Sequence, residues 1–268
     1  MATPKKRSKL SLLLALLRRN RGEVSDRLLT FADFQTDRFR RKASMTHASP
    51  TECRRWLGGA LHGNLDAFLH EAALLEIERQ VTEGRRVLSA NPAFGMIHAA
   101  DMSLARLCYA VCRLRKPSVV VETGVAHGVS SAFLLKALSA NGSGELWSID
   151  LPPLAEGADD QVGCLVPADL RPRWHLLRGR SRHLLPKLVS ELPAIDLFLH
   201  DSLHTHRNIT FEFRTVWPKL SPGGLLLSDD VELNRAFENF AGRPDVALAL
   251  TSGQEAKSAV FGVLVKSG

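Results

Sequence analysis

From Val119 to Ser131 the sequence reads VVVETGVAHGVSS: an apolar β-branched run, a turn with two glycines and the opening of a helix. The triple valine has the character of a central parallel strand. Gly124 and Gly128 permit a tight turn, and Phe133, Leu134, Leu135 and Leu138 give the following helix a face for a sheet. Free N–H groups at a helix start favour polar or anionic ligand groups, so this stretch suits a nucleotide-like cofactor and points to an enzyme. The spacing excludes a dinucleotide fingerprint, because G-x-G-x-x-G would place glycine where the chain has Ala126 and Val129. A second strand, ELWSIDL, ends near Asp150, whose carboxylate can accept hydrogen bonds from both ribose hydroxyls. Together these features suit an adenosyl ligand without phosphates. The glycine turn alone is equally compatible with a simple tight connection.

Strand and helix patterns alternate to the C-terminus. Candidate strands cover 119–124, 145–151, 174–178, 195–201, 224–229, 246–251 and 259–266. Helical patterns between the first five imply right-handed crossovers in a parallel sheet. Only SGQEAKS separates the last two, too short for a crossover, so they form an antiparallel hairpin at one edge. The predicted class is α/β: a Rossmann-like, seven-stranded, mostly parallel sheet with a C-terminal antiparallel hairpin and helices on both faces. Segments 64–90 and 96–115 read as helices, the second packing on the first strand through Leu104, Leu107, Ala110, Val111 and Leu114. At 268 residues and 45% hydrophobic content, the chain can bury one full α/β core with an extension, rather than two large domains. The expected division is a basic tail and helical extension over 1–94 and a catalytic domain over 95–268. Segment 151–173, rich in proline, glycine and acids, is long for a connection. It reads either as a lid over a ligand or as a crossover with one short helix between Val162 and Leu170.

Asp201 and the pair Asp229/Asp230 end two predicted parallel strands. If these are neighbours, about 4.8 Å apart, the carboxylates converge above the sheet edge where open α/β folds place ligands. Clustered carboxylates call for a positive partner, and Mg²⁺ would supply it while keeping waters that two substrate oxygens could displace. The alternative is that all three acids cap the turns or helices that follow. His200, His204 and His206 surround Asp201. His204 is a candidate general base or a substrate-orienting group, His200 within the apolar strand is expected to be packed and hydrogen-bonded, and His206 is expected to be exposed. The spacing H-x-x-x-H-x-H matches no familiar zinc pattern.

The stretch Ile195 to Phe237, IDLFLHDSLHTHRNITFEFRTVWPKLSPGGLLLSDDVELNRAF, has an acid ending one strand and an acidic pair ending the next. With the glycine turn, Asp150 and the reversed hairpin, it resembles the class I S-adenosylmethionine-dependent methyltransferases over about residues 95 to 268. Within them it is similar to the bacterial branch of catechol-type and macrolide-sugar O-methyltransferases. The resemblance implies S-adenosylmethionine as cofactor, held by Glu122, Gly124, Ala126, Gly128 and Ser130 at the methionine and sulfonium end, by Asp150 at the ribose, and by Gly179 and Ser181 near the adenine. It further implies Mg²⁺ on Asp201, Asp229 and Asp230 and methyl transfer to a small-molecule or glycosidic hydroxyl, with Asp201 or His204 taking the proton. Two alternatives stand beside it: a metal-independent methyltransferase with His204 as base, and a catalytically silent cofactor-binding assembly or regulatory protein. The chain departs from the family's common Gly-Asp-Ser with Gly179-Arg180-Ser181, which puts the side-chain acceptor for the adenine amino group in doubt.

Charge is uneven. Residues 1–55 hold 14 Lys/Arg against 5 Asp/Glu, a net +9, whereas the remainder carries 21 against 23, a net −2. The catalytic region is therefore not a basic nucleic-acid binder. Lys5-Lys6-Arg7 ahead of Leu10–Leu17 imitates a secretory signal, but Arg18, Arg19 and Arg21 follow at once and no cleavage site appears, arguing against export or a membrane span. The segment reads as a short helix, a tail, or a weak foothold on an anionic membrane surface. Cys53, Cys108, Cys112 and Cys164 form no disulfide or metal framework, fitting reduced thiols and a cytoplasmic location. A homo-oligomer is compatible with all of this.

Overall fold

In the computed structural model, which describes residues 9–95, 100–256 and 258–268, period-two alternation along the strands decides the layers. Val120, Leu197, Leu199, Leu225, Leu227, Val263 and Val265 enter one core, whereas Val121, Phe198, Leu226 and Leu264 enter the other. The elements in order are α1 (Lys9–Arg19), α2 (Arg21–Asp37), α3 (Pro50–Ala60), α4 (Ala72–Leu88), α5 (Met102–Arg115), β1 (Val119–Thr123), α6 (Val129–Asn141), β2 (Glu145–Asp150), α7 (Ala158–Gln161), β3 (Trp174–Arg178), α8 (Ser181–Glu191), β4 (Ile195–His200), α9 (His206–Val216), β5 (Leu220–Ser228), α10 (Ala236–Ala241), β6 (Val246–Gly253) and β7 (Val260–Lys266). Helices α3 to α6 cover one face and α8 to α10 the other. Cys53, Leu57, Leu74, Ile77 and Val81 share a core with the sheet, so α3 and α4 pack as part of the α/β body.

The sheet order is β3-β2-β1-β4-β5-β7-β6, the first five strands parallel and β7 antiparallel to both neighbours. Strand order reverses between β1 and β4, the switch point outside which such sheets bind ligands. Register then aligns the site. Thr123 pairs with His200 and His200 with Ser228, which sets Gly124, Asp201 and Asp229 side by side just beyond the strand ends.

The structure differs from expectation in several places. Strand β5 begins at Leu220, earlier than Gly224. The helical pattern over 64–90 breaks at Glu71, whose ψ of 136° ends a 3₁₀ turn before α4 starts. Helix α5 starts after its N-cap Asp101; residues 96–99 lie outside the described residues. The 151–173 connection carries two short helices, α7 ahead of the expected 162–170 window and a 3₁₀ turn over Ala168–Arg173 that begins inside it. Gly163 has φ of 64°, outside the helical region, and its N–H instead bonds Ala126 O at 2.9 Å, while Leu165 N–H bonds His127 O at 2.9 Å. That connection therefore packs directly on the glycine turn. Lys5, Lys6 and Arg7 lie outside the described residues, and among the described residues no helix is long and apolar enough to cross a membrane.

Candidate active site

The glycine turn fits against the end of β4 because Gly124 has no side chain. It adopts φ of 84°, and a Cβ there would stand 1.9 Å from the Asp201 carbonyl oxygen. Ala126 is held at φ of 47°, a left-handed conformation that costs a residue with a Cβ roughly 1–2 kcal/mol. Asp150, ending β2, accepts from Val125 N–H through Oδ1 at 3.2 Å. Burial lifts its carboxyl to about 6 against the pull of the Val125 and Ala126 N–H groups. Its Oδ2 is buried without a hydrogen-bond partner among the described residues. A buried acceptor in that state is the feature a ribose hydroxyl would satisfy, so Asp150 fits the predicted cofactor.

Glu122 and Ser130, expected at the methionine end of the cofactor, are joined to each other in a buried cluster. Glu122 is fully buried, and its two oxygens accept the hydroxyls of Ser130 (2.6 Å), Ser131 (2.6 Å) and Ser148 (2.7 Å). Burial pushes its carboxyl above the ordinary range while those bonds pull it back. These bonds tie the start of α6 to β1 and β2. Gly128 caps α6 at φ of 90°, with Gly163 and Val166 pressed against it. His127 is buried and stacked on Phe94, ring centroids 4.0 Å apart.

Of the residues expected near the adenine, Gly179 follows β3 and Ser181 opens α8. The side chain of Arg180 is turned to the N-terminal helix, where it reaches Asp26 at 3.1 Å and Asp33 at 3.8 Å. The charge that departs from the family pattern is therefore neutralised by α2.

Asp201, His204 and Asp229 bring one ligand atom each to within 4.8 Å of one another. Asp230 does not join them. With φ of 50° its chain turns left-handed, and its carboxylate meets His204 Nδ1 at 3.2 Å, while His204 Nε2 lies 3.6 Å from Asp201. His204 thus bridges two of the predicted acids and stands where the third was expected. The fit to Mg²⁺ is partial: the carboxylates of Asp201 and Asp229 are hard donors, whereas an imidazole nitrogen suits a softer ion.

A buried polar network, missed by sequence reasoning, fixes this loop. Glu212 on α9 accepts from Thr123 Oγ1 (2.5 Å), Ser202 Oγ (2.8 Å) and Asn208 Nδ2 (2.9 Å), and its Oε2 lies 2.6 Å from His200 Nδ1. Burial works against the Glu212 charge, yet the His200 ring and the donated bonds hold its carboxyl down at about 2. Asn208 also donates to Leu203 O, and Asn234 to His204 O. Gln254, from the β6–β7 turn, donates to Asp229. None of these carried a motif: His200, Ser202, Asn208 and Glu212 lie within one short stretch, but only the turn from β4 into α9 brings their side chains together. His200 is packed and hydrogen-bonded as expected, whereas His206 is half-buried rather than exposed.

Residues 121–231 match a family described as Methyltransferase domain. Over those residues, fewer than half of the chain, the sequence is similar to that methyltransferase family. No curated protein sequence matches it. In fold it is similar to an O-methyltransferase from Bacillus cereus in complex with SAH, at 18% identity and TM-score 0.58, over 70% of this chain and 91% of that one. It is also similar to the O-methyltransferase TomG from Streptomyces achromogenes, involved in tomaymycin synthesis and bound to SAM, at 18% identity and TM-score 0.56, over 81% and 96%. A SAH-bound methyltransferase from Podospora anserina aligns at 14% identity and TM-score 0.53, over 84% and 100%. The methyltransferase match spans the glycine turn, Asp150, Asp201 and the Asp229/Asp230 pair, the segments that form the site described above.

Proposed function

We propose that this methyltransferase transfers the methyl of S-adenosylmethionine to a hydroxyl of a small molecule or glycoside, assisted by Mg²⁺ on Asp201 and Asp229. The observation that carries the reading is the contact of Gly124 with Asp201: it sets the cofactor turn directly against the Asp201, His204 and Asp229 cluster, so electrophile and acceptor would meet there. S-adenosylmethionine supplies a methyl on a sulfonium, which becomes bonded to the acceptor oxygen as the sulfur keeps the old bonding pair. The metal, when bound, supplies charge that lowers the acceptor hydroxyl pKa.

The chain's own residues do the rest. Asp150 offers Oδ2 to the ribose hydroxyls. His204 takes the acceptor proton at Nε2, and Asp230 at Nδ1 fixes the ring and offsets the charge gained. The buried Glu212 network holds the loop that carries both groups, so that little is lost to reorganisation. The position of His204 between Asp201 and Asp230 also favours a second reading, in which His204 works as base without an ion. Four free thiols, three of them buried, support a reducing compartment such as the cytoplasm.

The experiment is release of S-adenosylhomocysteine across a panel of diols and glycosides, with Mg²⁺, with Mn²⁺ and in EDTA. Turnover that requires an ion supports the first reading, and full turnover in EDTA supports the second. Cofactor binding without turnover on any acceptor would favour a silent binding protein.

A further inference from the structure

Helix α2 docks through its acids and leaves large apolar side chains exposed. Its inward face carries Glu23, Asp26, Asp33 and Asp37 at helical spacing, and these bind the body of the protein through polar contacts, Val24 being the one apolar side chain of the helix that is buried. Glu23 meets Arg178 at 3.0 Å, Asp26 meets Arg180 at 3.1 Å, Asp33 meets Arg207 at 3.3 Å, and Asp37 accepts the N–H of His206 at 2.6 Å. Its outward face carries Leu28, Phe31 and Ala32, with Phe39 one turn beyond and Leu29 and Phe34 at the margins. Phe31 is 63% exposed, Leu28 61% and Phe39 92%. Leu14 and Leu17 of α1, which packs on α2, are exposed as well. A helix held by its acids leaves its apolar side for something else to cover, since so many large apolar residues on one face mark an interaction site.

The charges beside that face select the occupant. Every acid of α2 is turned inward and committed, so what flanks the apolar stripe is basic: Arg21 at one end and Arg38, Arg40, Arg41 and Lys42 at the other, all exposed. Beyond them, a groove of about 630 Å³ between α2 and α9 gathers Arg40, Arg207 and Arg214 around Phe211, with Asp37 and Asp33 in its wall paired to Arg40 and Arg207. A second copy of the chain docking here about a two-fold axis would set these arginines against each other. An interface of apolar chains bordered by lipid phosphates complements both features. We propose that the outward face of α2, with the 38–42 turn, is a docking surface for a bilayer containing anionic lipids. It would hold the methyltransferase at a membrane without spanning it.

The test uses the full chain and extruded vesicles of phosphatidylcholine alone or with 30% phosphatidylglycerol, by flotation at low and high salt. The expected result is capture by the anionic vesicles only, weakened by salt. Leu28→Ser with Phe31→Ser should lower the partition coefficient about tenfold or more, and Arg38→Ala with Arg41→Ala should lower it about fivefold for each charge removed. Both variants should keep the wild-type melting temperature and S-adenosylmethionine affinity, since none of the four side chains touches the site. Absence of capture, or capture that neither variant weakens, overturns the proposal. A concentration-dependent dimer that Phe31→Ser dissociates, seen without vesicle binding, would give the face to a second copy instead.

Discussion

On the proposed reading, Asp150 is the single side chain that would govern cofactor binding. Because burial raises its carboxyl to about 6, the ribose hydroxyls meet a carboxylate only above that pH. S-adenosylmethionine affinity is therefore expected to fall as pH drops through about 6. The same raised value makes the ligand-free protein bind a proton more readily folded than unfolded, so its stability declines as pH rises from the ordinary carboxylate range through about 6. Asp150→Ala should cost roughly 1.5 to 3 kcal/mol of binding, the size of a hydrogen bond to a charged group, and Asp150→Asn should flatten the pH dependence; titration calorimetry at several pH values reads both. The acid cluster behaves differently. Asp229→Asn should leave cofactor affinity nearly unchanged while lowering turnover by about two orders of magnitude, the scale of losing one positioned electrostatic group. His204→Ala should cause a comparable loss in kcat, and single-turnover rates on a responsive acceptor would measure the two side by side. A His204→Ala enzyme of normal rate would remove the proton acceptor from the scheme.

Among the elements, the start of α6 depends on one buried acid. Glu122 is the common acceptor for Ser130, Ser131 and Ser148, so Glu122→Ala strands three buried hydroxyls. Leaving buried polar groups unsatisfied costs about 1 to 3 kcal/mol each, and a melting temperature lowered by several degrees or more is expected, with Glu122→Gln milder because one acceptor oxygen remains. Helix α2 depends on ion pairs instead. Arg180 is nearly buried between Asp26 and Asp33, and removing both acids with Asp26→Ala and Asp33→Ala leaves an uncompensated cation. Breaking such a pair costs about 3 to 5 kcal/mol. Hydrogen exchange in residues 21–37 should then accelerate to the rate of an undocked helix, while β1, β4 and β5 keep their protection.

Across the whole molecule, the two cores lie on opposite faces of one continuous sheet and share its strands. Neither can melt without exposing the other, so calorimetry should record one cooperative transition for the α/β body. Helices α1 and α2 stand outside both cores, and hydrogen exchange in the intact protein should show them opening well before α5 and α6. Equal protection in α2 and α6 would mean that the ion pairs hold as firmly as the core.

The sequence by itself determined the strands, their order of connection and the reversed final hairpin, because period-two burial and crossover length are local properties of the chain. It also placed Gly124, Asp150, Asp201 and Asp229 at strand ends, where register brings the glycine turn and the two acids of β4 and β5 together. What it could not contain was direction. Whether Glu122 faces a ligand or three serines, and whether Asp230 or His204 stands beside Asp201 and Asp229, turns on backbone conformation and on neighbours far along the chain. The αL twist at Asp230 decided the second, and β2 and α6 decided the first. Helix α2 belongs to the same class. Its acids face inward because Arg178, Arg180 and Arg207, more than 140 residues later, lie beneath it, and only the tertiary structure brings those charges to the helix.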